Sequence, residues 1–206
     1  MIRAVLFDFG GVISSSPFEA FAHLEAARGL PADFIRTVNA TDRDTNAWAQ
    51  LERGEIDVET FGALWSAEAR SMGHELDGRL VLECLGGEIR PQMVAAVRAC
   101  RATYKTGCLT NNFTRAEAVL SDRVAAVYAL FDAVLESRVL GVRKPDPRFY
   151  ELACETLEVQ PDECVFLDDL GVNLKPARAL GMQTIKVVEP DVALEELASK
   201  LQLSFD

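Results

Sequence analysis

Histidine is nearly absent, with His23 and His74 the only two among 206 residues. Histidine-rich metal sites are thereby excluded. A Ser-His-Asp triad would have to use one of these two, and no Gly-x-Ser-x-Gly elbow supports it. Basic runs are missing too. The 32 acidic against 21 basic residues leave a net charge of −11, so a nucleic-acid backbone would be repelled overall. The five cysteines, Cys84, Cys100, Cys108, Cys154 and Cys164, are odd in number, lie in apolar patterns and form no Cys-x-x-Cys pair. They read as reduced core thiols of a cytoplasmic protein. Long apolar runs are also lacking. The first is broken by Asp8, Gly10 and Gly11, too early for a signal peptide or a bilayer span, so no membrane partner is expected.

What is present is an ordinary globular balance, 49% hydrophobic and 26% charged residues, in a chain long enough to bury a full core. Five short apolar segments read as strands: Ala4 to Asp8, Lys105 to Thr110, Ala133 to Ser137, Cys164 to Asp168 and Gln183 to Val188. Their continuity, rather than alternation, suits strands covered on both faces. Helical patterns fall between them at Pro91 to Arg101, Arg115 to Tyr128, Pro147 to Leu157 and Leu174 to Leu180, which argues for βαβ units and a parallel sheet.

Between the first two strands the periodicity is helical only, over a span several times what one crossover requires. Its expected pieces are Pro17 to Ala27, Ala32 to Asn39, Thr45 to Arg53, Val58 to Met72 and Leu76 to Leu85. The expectation is an α/β fold, a Rossmann-like doubly wound sheet of five parallel strands with an inserted all-helical cap domain. Residues 1–14 and 91–206 would form the core and 15–90 the cap, lying as a lid over the carboxyl ends of the strands. The cap's Phe18, Phe21, Phe34, Trp48, Phe61 and Trp65 fall at helical spacings and read as its own core.

In an open parallel sheet, ligands bind outside the carboxyl ends of the strands. Here the first strand ends in Asp8, the second in Thr110-Asn111-Asn112 and the fourth in Asp168-Asp169, while Lys144 opens Lys144-Pro145-Asp146-Pro147 after the third. Each alone is a common turn or helix cap. Together, three carboxylates on one rim would repel one another and need a cation, and oxygen-only ligands suit Mg²⁺. Lys144 would add a second positive charge.

In this order and spacing the motifs resemble those of the haloacid dehalogenase-like hydrolase superfamily, in the subfamily with a helical cap between its first two motifs. Leu109-Thr110-Asn111, Lys144-Pro145-Asp146-Pro147 and Val165 to Lys175 are similar to the amino-terminal phosphatase domain of soluble epoxide hydrolases and to the domain fused to some acyl-CoA dehydrogenases. The resemblance implies a phosphatase acting on a small phosphorylated substrate. Asp8 would be the nucleophile, forming an aspartyl-phosphate. Asp8, the backbone carbonyl of Gly10 and Asp169 would bind Mg²⁺, with Asp168 behind them or acting through water. Thr110, with the backbone of Asn111 and Asn112, and Lys144 would hold the phosphoryl oxygens.

One departure stands out. Most phosphatases of the superfamily carry an acid/base Asp where this chain has Gly10, a group that typically contributes roughly a hundred- to ten-thousandfold. Its absence implies a preference for leaving groups of low pKa, unless the substrate or a cap residue (His23, His74 or a cap carboxylate) supplies the proton. Two rivals stay open: a phosphatase-like protein that binds a phosphorylated ligand or a protein partner without turnover, and a 2-haloacid dehalogenase. The acidic pair Asp168-Asp169 speaks against the second.

Overall fold

The computed structural model describes residues 1–113, 122–203 and 205. The strands are β1 Ala4–Phe7, β2 Lys105–Thr110, β3 Ala133–Glu136, β4 Cys164–Asp168 and β5 Gln183–Lys186. They form one all-parallel sheet in the order β3-β2-β1-β4-β5. The chain steps outward from β1 through β2 to β3 and returns to β4 on the other side of β1. Phe7 pairs with Cys108 on one side and with Leu167 on the other. The point where strand order reverses therefore lies between β1 and β4, where Asp8 and Asp168 emerge side by side.

Alternate residues of β1 point to opposite faces, which makes a continuous apolar run the right composition for it. Val5 and Phe7 join one core with residues of α6 (Pro91–Arg101), α7 (Asp122–Tyr128) and α11 (Pro190–Leu201). Ala4 and Leu6 join the other, with α9 (Pro147–Leu157) and α10 (Gly171–Ala179). Burying each Leu or Phe of this kind contributes about 1.5–3 kcal/mol. The first part of the helix expected over Arg115 to Tyr128 lies outside the described residues. The sequence expectation ends at Val188, so helix α11 is an addition to it. Ser137 opens the short helix α8 (Ser137–Leu140) rather than closing β3.

Five helices fill the insertion: α1 Phe18–Arg28, α2 Phe34–Ala40, α3 Ala47–Glu52, α4 Val58–Ser71 and α5 Gly78–Glu83. They gather a separate core around Phe21, Phe34, Phe61 and Trp65, with Phe18 and Trp48 packed against it. Phe113, directly after the end of β2, packs into this same core. The two connecting segments are zipped together: Ser14 bridges Ile89, Ser15 N–H donates to Glu88 O, and Arg90 N–H donates to Ile13 O.

Candidate active site

Asp8 leaves β1 into a tight turn, Phe9–Ile13, whose geometry two glycines allow. Gly11 has φ +79°, and a Cβ there would run into the Asp169 carboxylate. Only glycine meets both conditions. Gly10 is different: its φ of −72° and ψ of 128° suit any residue, and a Cβ would meet nothing within 4 Å. The turn is clasped from the returning cap segment, where Arg90 Nη1 donates to Gly11 O at 2.5 Å.

Lys144 is 1% exposed and its ammonium lies 2.8 Å from both Asp8 Oδ1 and Asp168 Oδ2, with Nζ 5.5 Å from the centre of the Phe166 ring. Burial alone would lower the ammonium's pKa, but Asp168 and Asp8 outweigh it and hold the charge firmly on Lys144. Asp8 Oδ1 also accepts from the Phe9 N–H at 2.6 Å, which leaves Oδ2 outside both bonds. Burial, together with repulsion from Asp168 and Asp169, raises the Asp8 carboxyl well above its ordinary value despite Lys144.

The two adjacent carboxylates have different surroundings. Asp168 is fully buried and accepts from Lys144, from Leu170 N–H at 2.8 Å and from Asn173 Nδ2 at 3.0 and 3.1 Å. It is a clamp on Lys144. Asp169 lies against Gly11, and burial and its neighbour Asp168 push its carboxyl up to about 6. One oxygen from each of Asp8, Asp168 and Asp169 falls within 4.8 Å of the others. The Lys144 ammonium pairs with two of the three, Asp8 and Asp168. These donors are hard oxygens in a charge-deficient group, which fits a Mg²⁺ ion.

Thr110 closes β2, nearly buried, and its side chain hydrogen-bonds Tyr128 of α7, whose ring packs on Phe9 at 5.2 Å. The Asn111 amide clasps the Lys144 peptide, accepting from Lys144 N–H at 2.9 Å and donating to Lys144 O at 3.0 Å. Asn112 sits between this rim and the end of β3. Its N–H donates to Ser137 Oγ at 3.0 Å and its side-chain amide to Glu136, both at the end of β3. The Ser137 hydroxyl in turn donates to Glu52 O at 2.5 Å and so ties the end of β2 to the cap.

Glu52, Arg143, Ser137, Arg90 and Asn173 were not anticipated at this rim. Glu52 is the cap carboxylate that reaches it, through Asn111 Nδ2 at 3.1 Å. The histidines do not join the cluster around Asp8: His23 is exposed on α1, and His74 packs edge-on against Phe34 in the cap.

The sequence profile described as haloacid dehalogenase-like hydrolase matches residues 2–181. The chain belongs to the haloacid dehalogenase-like hydrolases. It is 37% identical over 209 residues to Acyl-CoA dehydrogenase family member 10 of Mus musculus, covering 97% of this chain and 19% of that protein. With Bifunctional epoxide hydrolase 2 of Sus scrofa it shares 32% over 211 residues, covering 95% of this chain and 38% of that one. It therefore spans about a fifth and about two fifths of these two relatives. A phosphatase of Mycobacterium tuberculosis is 30% identical over 198 residues, 90% of this chain and 87% of its own.

Solved structures of haloacid dehalogenase-like hydrolases share the fold. A predicted hydrolase of the family from Porphyromonas gingivalis gives a TM-score of 0.68 at 22% identity, covering 99% of this chain and 100% of its own. A family enzyme from Bacteroides thetaiotaomicron, in complex with magnesium and inorganic phosphate, gives 0.58 at 19%, covering 90% and 94%. The L-2-haloacid dehalogenase of Xanthobacter autotrophicus, with chloropropionic acid covalently bound, gives 0.62 at 21%, covering 99% and 85%. Among the described residues, no helix is long and apolar enough to cross a membrane.

Proposed function

We propose that this haloacid dehalogenase-like hydrolase is a Mg²⁺-dependent phosphatase of small phosphorylated metabolites, working through an aspartyl-phosphate on Asp8. The observation that carries the reading is the cluster of Asp8, Asp168 and Asp169, two of whose members, Asp8 and Asp168, share the buried Lys144. A dehalogenase has no phosphoryl dianion to bind and no use for that surplus of carboxylates. The mycobacterial relative named a phosphatase and the fold neighbour crystallised with magnesium and inorganic phosphate support the same choice.

Asp8, Asp169 and the carbonyl of Gly10 would hold the Mg²⁺ ion, with Asp168 behind them. When bound, the ion supplies positive charge that offsets the carboxylates and polarises the phosphoryl group. Asp8 Oδ2, free of the bonds that fix Oδ1, attacks phosphorus as the bond to the leaving oxygen breaks and its electron pair departs with that oxygen. Water then attacks the same phosphorus, releasing inorganic phosphate and restoring the carboxylate. An ammonium has three N–H donors. Two of those on Lys144 face Asp8 and Asp168, and the third serves a phosphoryl oxygen, with Thr110 and the backbone of Asn111 completing the cradle.

Gly10 supplies no acid, so leaving groups that depart without protonation, such as acyl phosphates and sugar 1-phosphates, are the favoured class. A panel of phosphorylated metabolites assayed with Mg²⁺ and with EDTA, beside Asp8→Asn, tests the reading. Mg²⁺-dependent phosphate release that Asp8→Asn abolishes is the expected result. Release that survives in EDTA or in Asp8→Asn contradicts it. The Gly10 position also favours a second reading, a protein that binds phosphorylated ligands without turnover, which would show saturable Mg²⁺-dependent binding and no release.

A further inference from the structure

Glu52 ends α3, the cap helix that meets the core, and its carboxylate is buried with three donors around it. Trp48 Nε1 donates to Oε1 at 2.9 Å, Asn111 Nδ2 donates to Oε2 at 3.1 Å, and Arg143 Nε stands 2.7 Å from Oε2 as an ion pair. With both oxygens engaged by neighbours that position the rim, the group is placed to hold those neighbours.

Two of these three partners lead to Lys144. Asn111 uses the rest of its amide to clasp the Lys144 peptide on both its N–H and its carbonyl side. Arg143 precedes Lys144 in the chain and donates a second bond, from Nη1, to the cap at Arg43 O, 2.9 Å away. The cap turn is seated closely here: a Cβ at Gly54 would lie 2.8 Å from Arg138 O.

We propose that Glu52 is a positioning residue through which docking of the cap sets Lys144: with α3 seated, its carboxylate holds Asn111 and Arg143, and these fix the Lys144 peptide from both sides. Cap docking and alignment of the lysine then form one event, so a substrate that seats the cap also orders the charge that receives its phosphoryl group. A buried charged group held by several partners is costly to disturb and geometrically exacting, which suits a part that must dock in one register. The inference rests on the phosphatase reading for its kinetic consequence but not for its structural one.

The test compares wild type with the isosteric Glu52→Gln, with Asn111→Ala and with the double variant. Each is assayed with an aryl phosphate and Mg²⁺, and each is followed by amide hydrogen exchange at Lys144. Displacing a group that aligns the reaction costs up to about a hundredfold. Glu52→Gln is expected to lower kcat by about ten- to a hundredfold with KM little changed, and to speed exchange of the Lys144 N–H by about tenfold or more. The double variant should be no worse than Asn111→Ala alone, because both act on one clasp.

A rise in KM with kcat intact, faster exchange confined to the cap, or multiplying effects in the double variant would overturn the proposal. Should Glu52→Gln not fold, Glu52→Asp is scored the same way, since it keeps the charge and withdraws it from Asn111. If the wild type hydrolyses neither the aryl phosphate nor any member of the metabolite panel, the phosphatase reading fails, while the exchange rate at Lys144 still decides this one.

Discussion

Asp169 occupies the space that a side chain on Gly11 would need. The glycine turn after Asp8 and the acidic pair at the end of β4 are therefore fitted to each other, although 158 positions separate Gly11 and Asp169 in the sequence (169 − 11). Gly11→Ala must both hold a φ of +79° and push Asp169 aside. We expect a loss of about 1–3 kcal/mol, read by chemical denaturation, together with weaker Mg²⁺ binding by calorimetry. Unchanged Mg²⁺ affinity would show that Asp169 does not need this place.

Gly10→Asp should fold as well as the wild type, because the backbone there is ordinary and the space around it is open. A gain in turnover of up to roughly a hundred- to ten-thousandfold is expected on alkyl phosphates, whose leaving groups need a proton. Acyl phosphates should gain little. Equal gains on both would sink the account of leaving-group preference.

The pH dependence follows from Asp169, whose carboxyl is raised from 3.8 to about 6 by burial and by Asp168. A raised folded-state pKa means that the fold holds the proton better than the unfolded chain does. The stability it contributes is complete below about 4 and is lost as pH rises through about 6. Asp169→Asn should remove this part of the slope in metal-free protein, seen as a smaller fall of Tm between pH 5 and pH 7 than in wild type. Mg²⁺ requires the ionised form, so its affinity should fall as pH drops through about 6. Flat Mg²⁺ affinity from pH 5 to pH 7 would contradict the assignment of Asp169 as a ligand.

The two adjacent acids should separate by variant. Asp168 is buried under Lys144, Leu170 N–H and Asn173, so Asp168→Ala takes a partner from the buried Lys144 ammonium and is expected to cost about 3–5 kcal/mol. Asp169→Ala should cost far less stability and far more Mg²⁺ affinity. Denaturation and metal titration on the two variants check this, and the reverse ranking would exchange their roles.

Much of this rim is legible in the chain because Asp8, Thr110 and Asp168 each close an apolar strand, and the carboxyl end of a parallel strand has a known place in the fold. Lys144 is legible for a related reason, standing three residues ahead of Pro147, the proline that opens α9. Glu52 is not: in Leu51-Glu52-Arg53 it looks like any charged helix end, and only the packing of the cap against Ser137 and Asn111 reveals its use. The bond from Asn112 to Ser137 is hidden for the same reason, since Ser137 comes from another strand end. Asn173 was within reach, five residues past Asp168 in the opening turn of α10. Helix α11 also carries its signal openly, with Pro190 in the first turn and Ala193, Leu194, Leu197 and Leu201 buried along one stripe.

The most direct test of Asp8 as nucleophile is to quench wild-type protein during turnover of an acyl phosphate with Mg²⁺ and to locate any phosphoryl group by mass spectrometry. A phosphoryl group on Asp8, absent in Asp8→Asn and lost on further incubation, is the predicted result. Phosphate release with no label on Asp8, or release undiminished in Asp8→Asn, would contradict it.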